Sequence, residues 1–167
     1  MLRERPTRDE IAAVFSYDPA SGHITKGGKR AGYVTKRGCR AVNLKARQVK
    51  EHHVACVLMT GQWPLVTIDH KNLDPTDNRW ENLREATKAQ QCGNQPLRPT
   101  NNSGFRGVHW SKHAGKWRAQ IRTAGRSQSL GYFDSVEAAA AAYDAAALSH
   151  YGEFYHPARS EQIEACT

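Results

Sequence analysis

The chain has 167 residues, a length that suits one ordinary domain or two small ones. Its hydrophobic content of 39%, with four Trp and six Tyr, excludes a fully disordered chain, and a mean hydropathy of −0.72 indicates small cores and a largely polar surface. The net charge of +8 favours a polyanionic partner, which is either nucleic acid or an acidic membrane surface.

Apolar runs and cysteines narrow the class of protein further. The longest apolar runs, such as VACVLM, fall far short of the ~20 residues that a membrane span needs, and the charged start MLRERPTRDE lacks the apolar core of a signal peptide. No basic amphipathic helix accompanies the charge, which disfavours the membrane surface. The four cysteines lie far apart with no CxxC pair, so we expect reduced thiols in a cytosolic protein rather than a zinc knuckle or a disulfide framework.

The first predicted elements are a short helix and a small β meander. TRDE at residues 7–10 forms a capping box, which predicts a helix through Ile11 and Phe15 that SYDPASG then interrupts. Beyond it, short β-like pieces separated by turns are typical of a meander of hairpins. Residues 23–50 of this meander hold nine Lys or Arg and no acid, which favours phosphate contact over an ordinary solvated surface.

Two adjacent histidines, His52 and His53, begin a predicted helix that ends near Thr60, before GQWP. Neighbouring helix positions point in different directions, so packing or a phosphate contact is favoured over a shared metal ion. The Trp-Pro pair in GQWP predicts a rigid turn into a strand over residues 65–69.

The next stretch, IDHKNLDPTDNRWENLREATKAQQCGN, predicts a strand, a loop, a second strand and a helix whose start signal is Thr87 with Gln90. Asp69 and His70 are adjacent in its first strand. A carboxylate suits a hard cation such as Mg²⁺, which takes oxygen ligands and keeps several waters, while a neutral imidazole can take a proton from water. The stretch therefore predicts a hydrolytic site.

DH followed by DNRWENLREAT and then TKAQQ resembles the phage and intron-associated H-N-H (ββα-metal) endonucleases over roughly residues 10–95. The resemblance implies that His70 is the general base, that Asp69 is a metal ligand, and that Asn82 holds the loop and orients the histidine. Where the family has a second metal ligand, Asn or His, this chain has Gln91, which is longer by one methylene. Asn94 lies one helical turn further and is the candidate substitute.

The loop between the two predicted strands carries further charged residues. DPTDN composition favours a turn in which Asp74 and Asp77 bond local backbone N–H groups, rather than two extra metal ligands. Arg79 and Arg84 flank the site and are candidate contacts to phosphates near the scissile bond, the alternative being ordinary surface arginines.

A second module follows the Pro, Asn and Ser-rich break QPLRPTNNSG. FRGVHW, GKWRAQIRT and SQSLGYFDS predict three strands, and Asp134 with Glu137 is expected to cap a helix that continues to about His150. Small residues are expected to form the helix face against the sheet: Ala138, Ala141, Ala142, Ala145 and Leu148. The helix is acidic and the sheet basic, so the sheet is expected to face DNA.

FRGV, KWRAQIR, LGYFDSVEAAAAAYDAAAL and the trailing GEF resemble the AP2 DNA-binding domain over about residues 103–157. By position in the motif, the resemblance implies six DNA contacts: Arg106, Trp110, Trp117, Arg118, Gln120 and Arg122. For the two tryptophans, core packing is the alternative. Strand pleating places Arg118, Gln120 and Arg122 on one face, and His109 stands where the family often has Arg.

Taken together, the sequence predicts an α+β protein with a small β meander and ββα-metal nuclease module at residues 1–95 (core about 65–95), a linker at 96–103 and a three-stranded antiparallel AP2-like sheet packed on one helix at 104–160. The expected function is a site-preferring nicking or homing-type DNA endonuclease that uses one Mg²⁺ or Mn²⁺ and acts as a monomer on double-stranded DNA. No membrane or small-molecule cofactor is expected, and the setting is a phage or bacterial host cytosol. The alternative is an AP2-type DNA-binding or regulatory protein whose nuclease site is inactive because of Gln91, or an interaction protein that binds RNA or a host factor.

Overall fold

The computed structural model describes residues 5–123 and 125–157. The chain divides into two compact units, one up to Thr87 and the other from Lys88 onward. Both combine short antiparallel sheets with helices, which confirms the α+β class. Among the described residues, no helix combines the length and the apolar character that crossing a membrane requires.

The first unit begins with the short helix α1, Arg8–Ala12, whose N-terminus has the predicted capping box. The backbone N–H of Glu10 donates to Thr7 Oγ1 at 3.3 Å, and the backbone N–H of Thr7 donates to Glu10 Oε2 at 2.8 Å. This reciprocal pair satisfies two of the backbone donors that a helix start leaves without partners.

The predicted meander forms two separate antiparallel sheets of three strands each. The first consists of β1 (Ser16–Asp18), β2 (His23–Lys26) and β3 (Lys29–Arg30), and the second of β4 (Tyr33–Val34), β5 (Arg40–Leu44) and β6 (Arg47–Lys50). The helix α1 ends at Ala12, before the predicted Phe15, and the first three residues of SYDPASG form β1, which pairs with β2.

Helix α2, Glu51–Thr60, connects the second sheet to a hairpin of β7 (Thr67–His70) and β8 (Leu83–Ala86). Its end at Thr60 is as predicted, whereas β7 begins two residues later than expected. The helix contributes to two buried clusters: Val54 and Val57 pack with the residues of the sheets, and Ala55 and Cys56 pack under the hairpin. Full burial of each valine stabilises the fold by about 1.5–3 kcal/mol, so α2 fixes the hairpin against the rest of the unit.

The second unit has a one-turn helix α3 (Lys88–Gln91), then the sheet β9 (Val108–Ser111), β10 (Lys116–Thr123) and β11 (Arg126–Phe133), and finally the helix α4 (Val136–Tyr151). Strand order is β11-β10-β9, all antiparallel. The three predicted strands and the long helix are therefore present.

Two details of α4 differ from the sequence-based expectation. Its N-cap is Ser135, whose hydroxyl accepts from the backbone N–H of Ala138 at 3.1 Å, and not Asp134. The buried face is also different from the expected alanine stripe, and Leu148 is 60% exposed. The face against the sheet consists of Ala139, Ala140, Tyr143, Ala147 and Tyr151. Alanines surround the whole helix, so the two large tyrosines decide which side is buried.

Gly107 lies directly beneath one of these tyrosines. It has a positive φ of 70°, and a Cβ at this position would lie 2.2 Å from the ring of Tyr143 and 2.6 Å from Gln120 O. Gly115 has a similar φ of 61°, but a Cβ there would meet no atom within 4 Å.

We predict that Gly107→Ala destabilises the protein more than Gly115→Ala does. Both variants place an L side chain at positive φ, so the difference between them isolates the clash, which costs about 1–3 kcal/mol. Urea unfolding followed by circular dichroism measures both values. Equal losses of stability would show that Tyr143 moves aside without cost.

Candidate active site and nucleic-acid interface

The end of strand β7 places Asp69 and His70 in a protected position. Asp69 is 8% exposed and His70 9%. In the hairpin register Asp69 lies opposite Arg84, and His70 lies opposite Leu83. The guanidinium of Arg84 donates from Nε to Asp69 Oδ2 at 3.0 Å, and its Nη2 lies at the same distance from that oxygen. Arg84, predicted as a phosphate contact, therefore has a role that the sequence did not indicate: it holds the carboxylate of Asp69.

Asn82 closes the loop between β7 and β8. Its Oδ1 accepts from the backbone N–H of Asn72 at 3.0 Å, and its Nδ2 donates to the backbone oxygen of Asp77 at 2.7 Å. The backbone N–H of Lys71 donates to Asn82 O at 2.9 Å. These bonds tie both halves of the loop to one residue, as expected for a side chain that holds the loop.

The asparagine that hydrogen-bonds the ring of His70 is a different one, Asn78. His70 Nε2 lies 3.0 Å from Asn78 Oδ1, and Asn78 Nδ2 donates to Glu51 Oε2 at 3.2 Å. Asn78 is only 1% exposed, and its backbone oxygen accepts from the hydroxyl of Tyr17 at 2.7 Å. Sequence reasoning missed Asn78, because DPTDN is typical of a turn; its position directly before Arg79 in the DNR triplet was the available signal.

Glu51, the first residue of α2, is fully buried between two arginines. Arg40 Nε lies 3.1 Å from both carboxylate oxygens, and Arg30 Nη2 lies 3.3 Å from Oε2. Arg30 and Arg40 belong to the basic meander that was predicted to contact phosphates, and Lys45 of the same meander pairs with Glu10. For these three residues the structure provides protein partners, so phosphate contact stays a prediction for the rest of the meander.

His52 packs beside the candidate base. It is 4% exposed, and its ring centroid lies 5.1 Å from that of His70 in an edge-on arrangement. Burial first, and then the neighbouring His53 and His70, lower the pKa of His52 from 6.5 to about 2. Burial also lowers the pKa of His53, to about 4. His52 is therefore a neutral packing partner at physiological pH.

The aspartates of the loop bond locally, as the turn interpretation predicts. Asp74 Oδ1 accepts from the backbone N–H of Thr76 at 2.8 Å. Asp77 accepts from Arg79 Nε at 2.9 Å and from Asn72 Nδ2 at 2.8 Å, and the hydrogen bond from Arg79 is the main reason that its pKa falls to about 2. Arg79 is half-exposed and also pairs with Glu81 at 2.8 Å, so its guanidinium lies at the surface between two carboxylates.

The remaining predicted metal ligands belong to the second unit. Gln91 is the last residue of α3, and the backbone N–H of the buried Asn94 donates to Gln91 O at 3.2 Å. Convergence of these amides with Asp69 stays a prediction. Within the described residues, 5–123 and 125–157, no group of three or more His, Cys, Asp or Glu side chains could share a metal ion.

The predicted DNA contacts on strand β10 lie on two opposite sides of the sheet. Trp117, Ala119 and Ile121 alternate along β10 on the side that packs against α4. Arg118, Gln120 and Arg122 take the intervening positions and therefore share the opposite, solvent side. None of the three strands contains Asp or Glu, whereas α4 contains Glu137 and Asp144 but no Lys or Arg.

The other three candidates have partners within the second unit. Trp110 lies opposite Trp117 in the register, with ring centroids 5.3 Å apart, and it is 48% exposed. Trp117 packs against the core, which is the alternative considered above. Arg106 Nη1 donates to the backbone oxygen of Gly93 at 2.6 Å, and its guanidinium carbon lies 5.9 Å from the ring centroid of Tyr155. A DNA contact through these residues stays a prediction.

We predict that the stability of the protein falls with acid because His52 is buried as the neutral form. The folded pKa lies below the unfolded value of 6.5, so this stabilisation is complete above pH 6.5 and is lost as the pH falls below it. From pH 7.5 to pH 5.0 the free energy of unfolding should fall by about 2 kcal/mol on account of this one residue. Urea titrations at the two pH values measure the drop.

The His52→Leu variant should show a correspondingly smaller difference between the two pH values, whatever its absolute stability. His23→Leu, at an exposed strand position, is the control and should keep the wild-type difference. An unchanged difference in His52→Leu would mean that His52 takes up its proton in the folded state as readily as in the unfolded state.

Comparisons with known proteins find two separate matched segments. Residues 49–91 match the family model of the HNH endonuclease, and residues 103–153 match that of the AP2 domain. The chain is 31% identical over 97 residues to dehydration-responsive element-binding protein 1I of Oryza sativa subsp. japonica, and 30% identical over 76 residues to protein 3.8 of Escherichia phage T7. These alignments cover 56% and 46% of this chain but 39% and 63% of the relatives, so the chain spans less than two thirds of either relative.

Among solved structures, the HNH homing endonuclease I-HmuI is similar at 18% identity and a TM-score of 0.44, with 82% of this chain and 81% of that chain covered. The hairpin of β7 and β8, with its Asp-His pair, lies inside the first matched segment, and the sheet of β9, β10 and β11 with α4 lies inside the second. The chain is therefore similar to HNH endonucleases over residues 49–91 and to AP2 domains over residues 103–153.

Proposed function

We propose that the chain is a metal-dependent DNA endonuclease in which the AP2 sheet docks the duplex and the hairpin of β7 and β8 carries the reacting groups. The observation that carries this proposal is the dyad itself. Asp69 and His70 are adjacent and nearly buried, and each is held by a buried or nearly buried partner, Arg84 for the carboxylate and Asn78 for the ring. A packing role would not require such fixed orientation of two polar groups at the end of a strand.

The donor atoms suit a hard divalent ion. Mg²⁺ is held in proteins through one or two carboxylates together with substrate phosphates and water, and it takes oxygen ligands only. Asp69 offers a carboxylate, and the amide side chains of Gln91 and Asn94 offer carbonyl oxygens. Asp69, with Gln91 or Asn94, would hold one Mg²⁺ or Mn²⁺. When bound, the ion supplies positive charge that stabilises the scissile phosphate and the leaving oxygen.

The residues of the chain divide the remaining tasks. The imidazole of His70 takes a proton from the attacking water, which forms the new P–O bond as the bond to the leaving oxygen breaks. Asn82 keeps the loop closed, and Arg84 keeps the carboxylate of Asp69 oriented. Arg79, half-exposed at the surface of the same loop, is proposed to contact a neighbouring phosphate in exchange for its present acidic partners.

The solvent side of the β10 sheet is the proposed docking surface for double-stranded DNA. A twisted antiparallel sheet fits the major groove, where an arginine can pair bidentately with guanine. Arg118 and Arg122 supply the guanidinium groups, and Gln120 supplies an amide between them. Because α4 carries only acidic charge, its approach to phosphates is disfavoured. A single predicted catalytic site per chain favours a nick by a monomer, and similarity to a phage protein favours a phage or bacterial setting.

A second function deserves a test because of Gln91. The similarity to a protein named as a dehydration-responsive element-binding protein supports DNA binding by the AP2 domain. If the extra methylene of Gln91 displaces its oxygen by about 1 Å, the rate could fall on the order of a hundredfold. The chain would then act as a DNA-binding protein with an inactive nuclease site.

We predict that the wild-type protein with Mg²⁺ or Mn²⁺ converts supercoiled plasmid to open circles and that His70→Ala abolishes this conversion. General-base catalysis contributes about 10²–10⁴-fold, so the loss should be at least of that size. His23→Ala, at an exposed strand position, is the matched histidine control and should nick at the wild-type rate. Gel-shift measurements on the same plasmid fragments establish binding; bound DNA that is never nicked favours the second function.

We predict that Gln91→Asn increases the nicking rate, up to about a hundredfold if the extra methylene displaces the ligand oxygen. Gln95→Asn makes the same chemical change at an exposed position nearby and should have no effect. A lower rate in Gln91→Asn would show that the longer side chain is the one that fits this site. An equal rate would remove Gln91 from the proposed ligands.

We predict that Arg122→Ala weakens DNA binding and that Glu137→Gln does not strengthen it. Each lost phosphate contact lowers the slope of log K against log salt by about 0.9, and loss of a base contact costs about 1–3 kcal/mol. Glu137 is exposed on α4, so removing its charge would strengthen binding if the helix faced the DNA. Fluorescence anisotropy between 50 and 200 mM salt distinguishes the two orientations.

A further inference from the structure

The contact between His70 and Asn78 determines which nitrogen of the ring carries the hydrogen. We propose that the buried pair Glu51 and Asn78 fixes the neutral ring of His70 with its hydrogen on Nε2, so that Nδ1 is the atom that takes the proton in the nuclease reaction. Both residues act through His70 and are therefore positioning residues. This inference rests on the proposed function only in its last clause, since the position of the hydrogen is a property of the protein without substrate.

The first step of the argument is the orientation of the Asn78 amide. A carboxylate oxygen can only accept hydrogen bonds, so the group 3.2 Å from Glu51 Oε2 must be the Nδ2 amide group. Rotating the amide by half a turn would place two acceptors against each other inside the protein, which is costly. The carboxylate of Glu51 itself cannot turn away, because Arg40 and Arg30 hold it at 3.1 Å and 3.3 Å.

The second step follows from the first. With Nδ2 facing Glu51, the carbonyl oxygen Oδ1 faces the ring, 3.0 Å from His70 Nε2. A carbonyl oxygen only accepts, so Nε2 must donate a hydrogen to it. A neutral imidazole carries one hydrogen, and its lone pair is therefore on Nδ1. When Nδ1 takes a proton from the attacking water, Nε2 keeps its own hydrogen and the bond to Asn78 persists.

The third step is that the chain holds Asn78 at this point from its backbone side as well. The hydroxyl of Tyr17 donates to Asn78 O at 2.7 Å. Gly22 lies against the same peptide group, where a Cβ would be 2.4 Å from Asn78 C and 2.3 Å from Arg79 N. The close approach leaves no space for a side chain at Gly22. Asn78 therefore cannot withdraw from the ring without moving the strand pair that holds Tyr17.

These contacts separate two asparagines that the sequence alone does not distinguish. Asn82 bonds the backbone of its own loop, through Asn72 and Asp77. Asn78 bonds the ring on one side and a carboxylate 27 residues earlier in the chain on the other. The first closes the loop, and the second sets the chemical state of the base.

Nuclear magnetic resonance of the full chain labelled with ¹⁵N-histidine tests the proposal without metal or DNA. Long-range ¹H–¹⁵N spectra report which ring nitrogen is protonated, and the His70 signals are identified by their loss in His70→Ala. We expect the hydrogen on Nε2, visible as a slowly exchanging proton because its bond to Asn78 is buried. A hydrogen on Nδ1 in the neutral ring would overturn the proposal.

Three variants establish that Glu51 and Asn78 are the cause. Asn78→Leu removes the acceptor and should abolish the slowly exchanging Nε2 proton. The double variant Glu51→Gln with Asn78→Asp reverses the donor and acceptor between positions 51 and 78, so the new carboxylate still accepts from Nε2–H and the protected proton should return. Glu10→Gln makes the same change at an exposed carboxylate that pairs with Lys45 and should leave the His70 signals unchanged. A protected proton that survives in Asn78→Leu would overturn the proposal.

Nicking kinetics then connect the ring to the reaction. Asn78→Leu should lower kcat by at least about tenfold, the size expected when a buried donor loses its partner, with KM changed less than twofold. The double variant should recover most of the loss. If the wild type does not nick any bound DNA, the proposed function fails while the resonance result still decides the state of His70. If nicking occurs but the protected proton is absent, only the present inference fails.

Discussion

The first unit depends on one buried charge, the carboxylate of Glu51. An isolated carboxylate inside a protein is very costly, and removing one partner of a buried ion pair typically costs 3–5 kcal/mol. Arg40 of β5 and Arg30 of β3 neutralise the charge. Asn78 donates a hydrogen bond to the same carboxylate. Glu51 also begins α2, where the positive end of the helix dipole favours an anion. One side chain thus joins the sheets, the central helix and the loop between β7 and β8.

The central residues of the candidate site could be identified from the sequence, whereas their supporting contacts could not. Asp69 and His70 are adjacent, and their functional types and the spacing to Asn82 are local information. Asn78 reaches a partner 27 residues away, and Tyr17 reaches the same residue across 61 positions. Such pairs follow from the way the sheets fold against α2, and no short pattern in the sequence encodes them.

The elements of the second unit show a related limit. Strand alternation predicted correctly that Arg118, Gln120 and Arg122 share a face, because the pleat fixes this relation within one strand. The choice of helix face failed in α4, where alanine occurs on every side. Alanines on every side of α4 give no periodic contrast in side-chain size, so the sequence pattern does not indicate which face of the helix is buried. Tyr143 and Tyr151 decide the packing only because Gly107 and the sheet leave room for large rings.

Several arginines that contribute to the positive net charge form ion pairs within the first unit. The excess of basic residues points to DNA, yet Arg30, Arg40 and Arg84 all hold carboxylates of their own unit. In the proposed function these arginines therefore hold other side chains in place rather than bind DNA themselves. A carboxylate such as Asp69 near an approaching phosphate would repel it, and the repulsion is strong where water is excluded. Arg84 on Asp69 Oδ2 offsets this repulsion while keeping the carboxylate oriented. Asp69 and Arg84 therefore form a nearly neutral pair, and in the proposed function the attraction for DNA comes chiefly from the basic residues on the solvent side of β10.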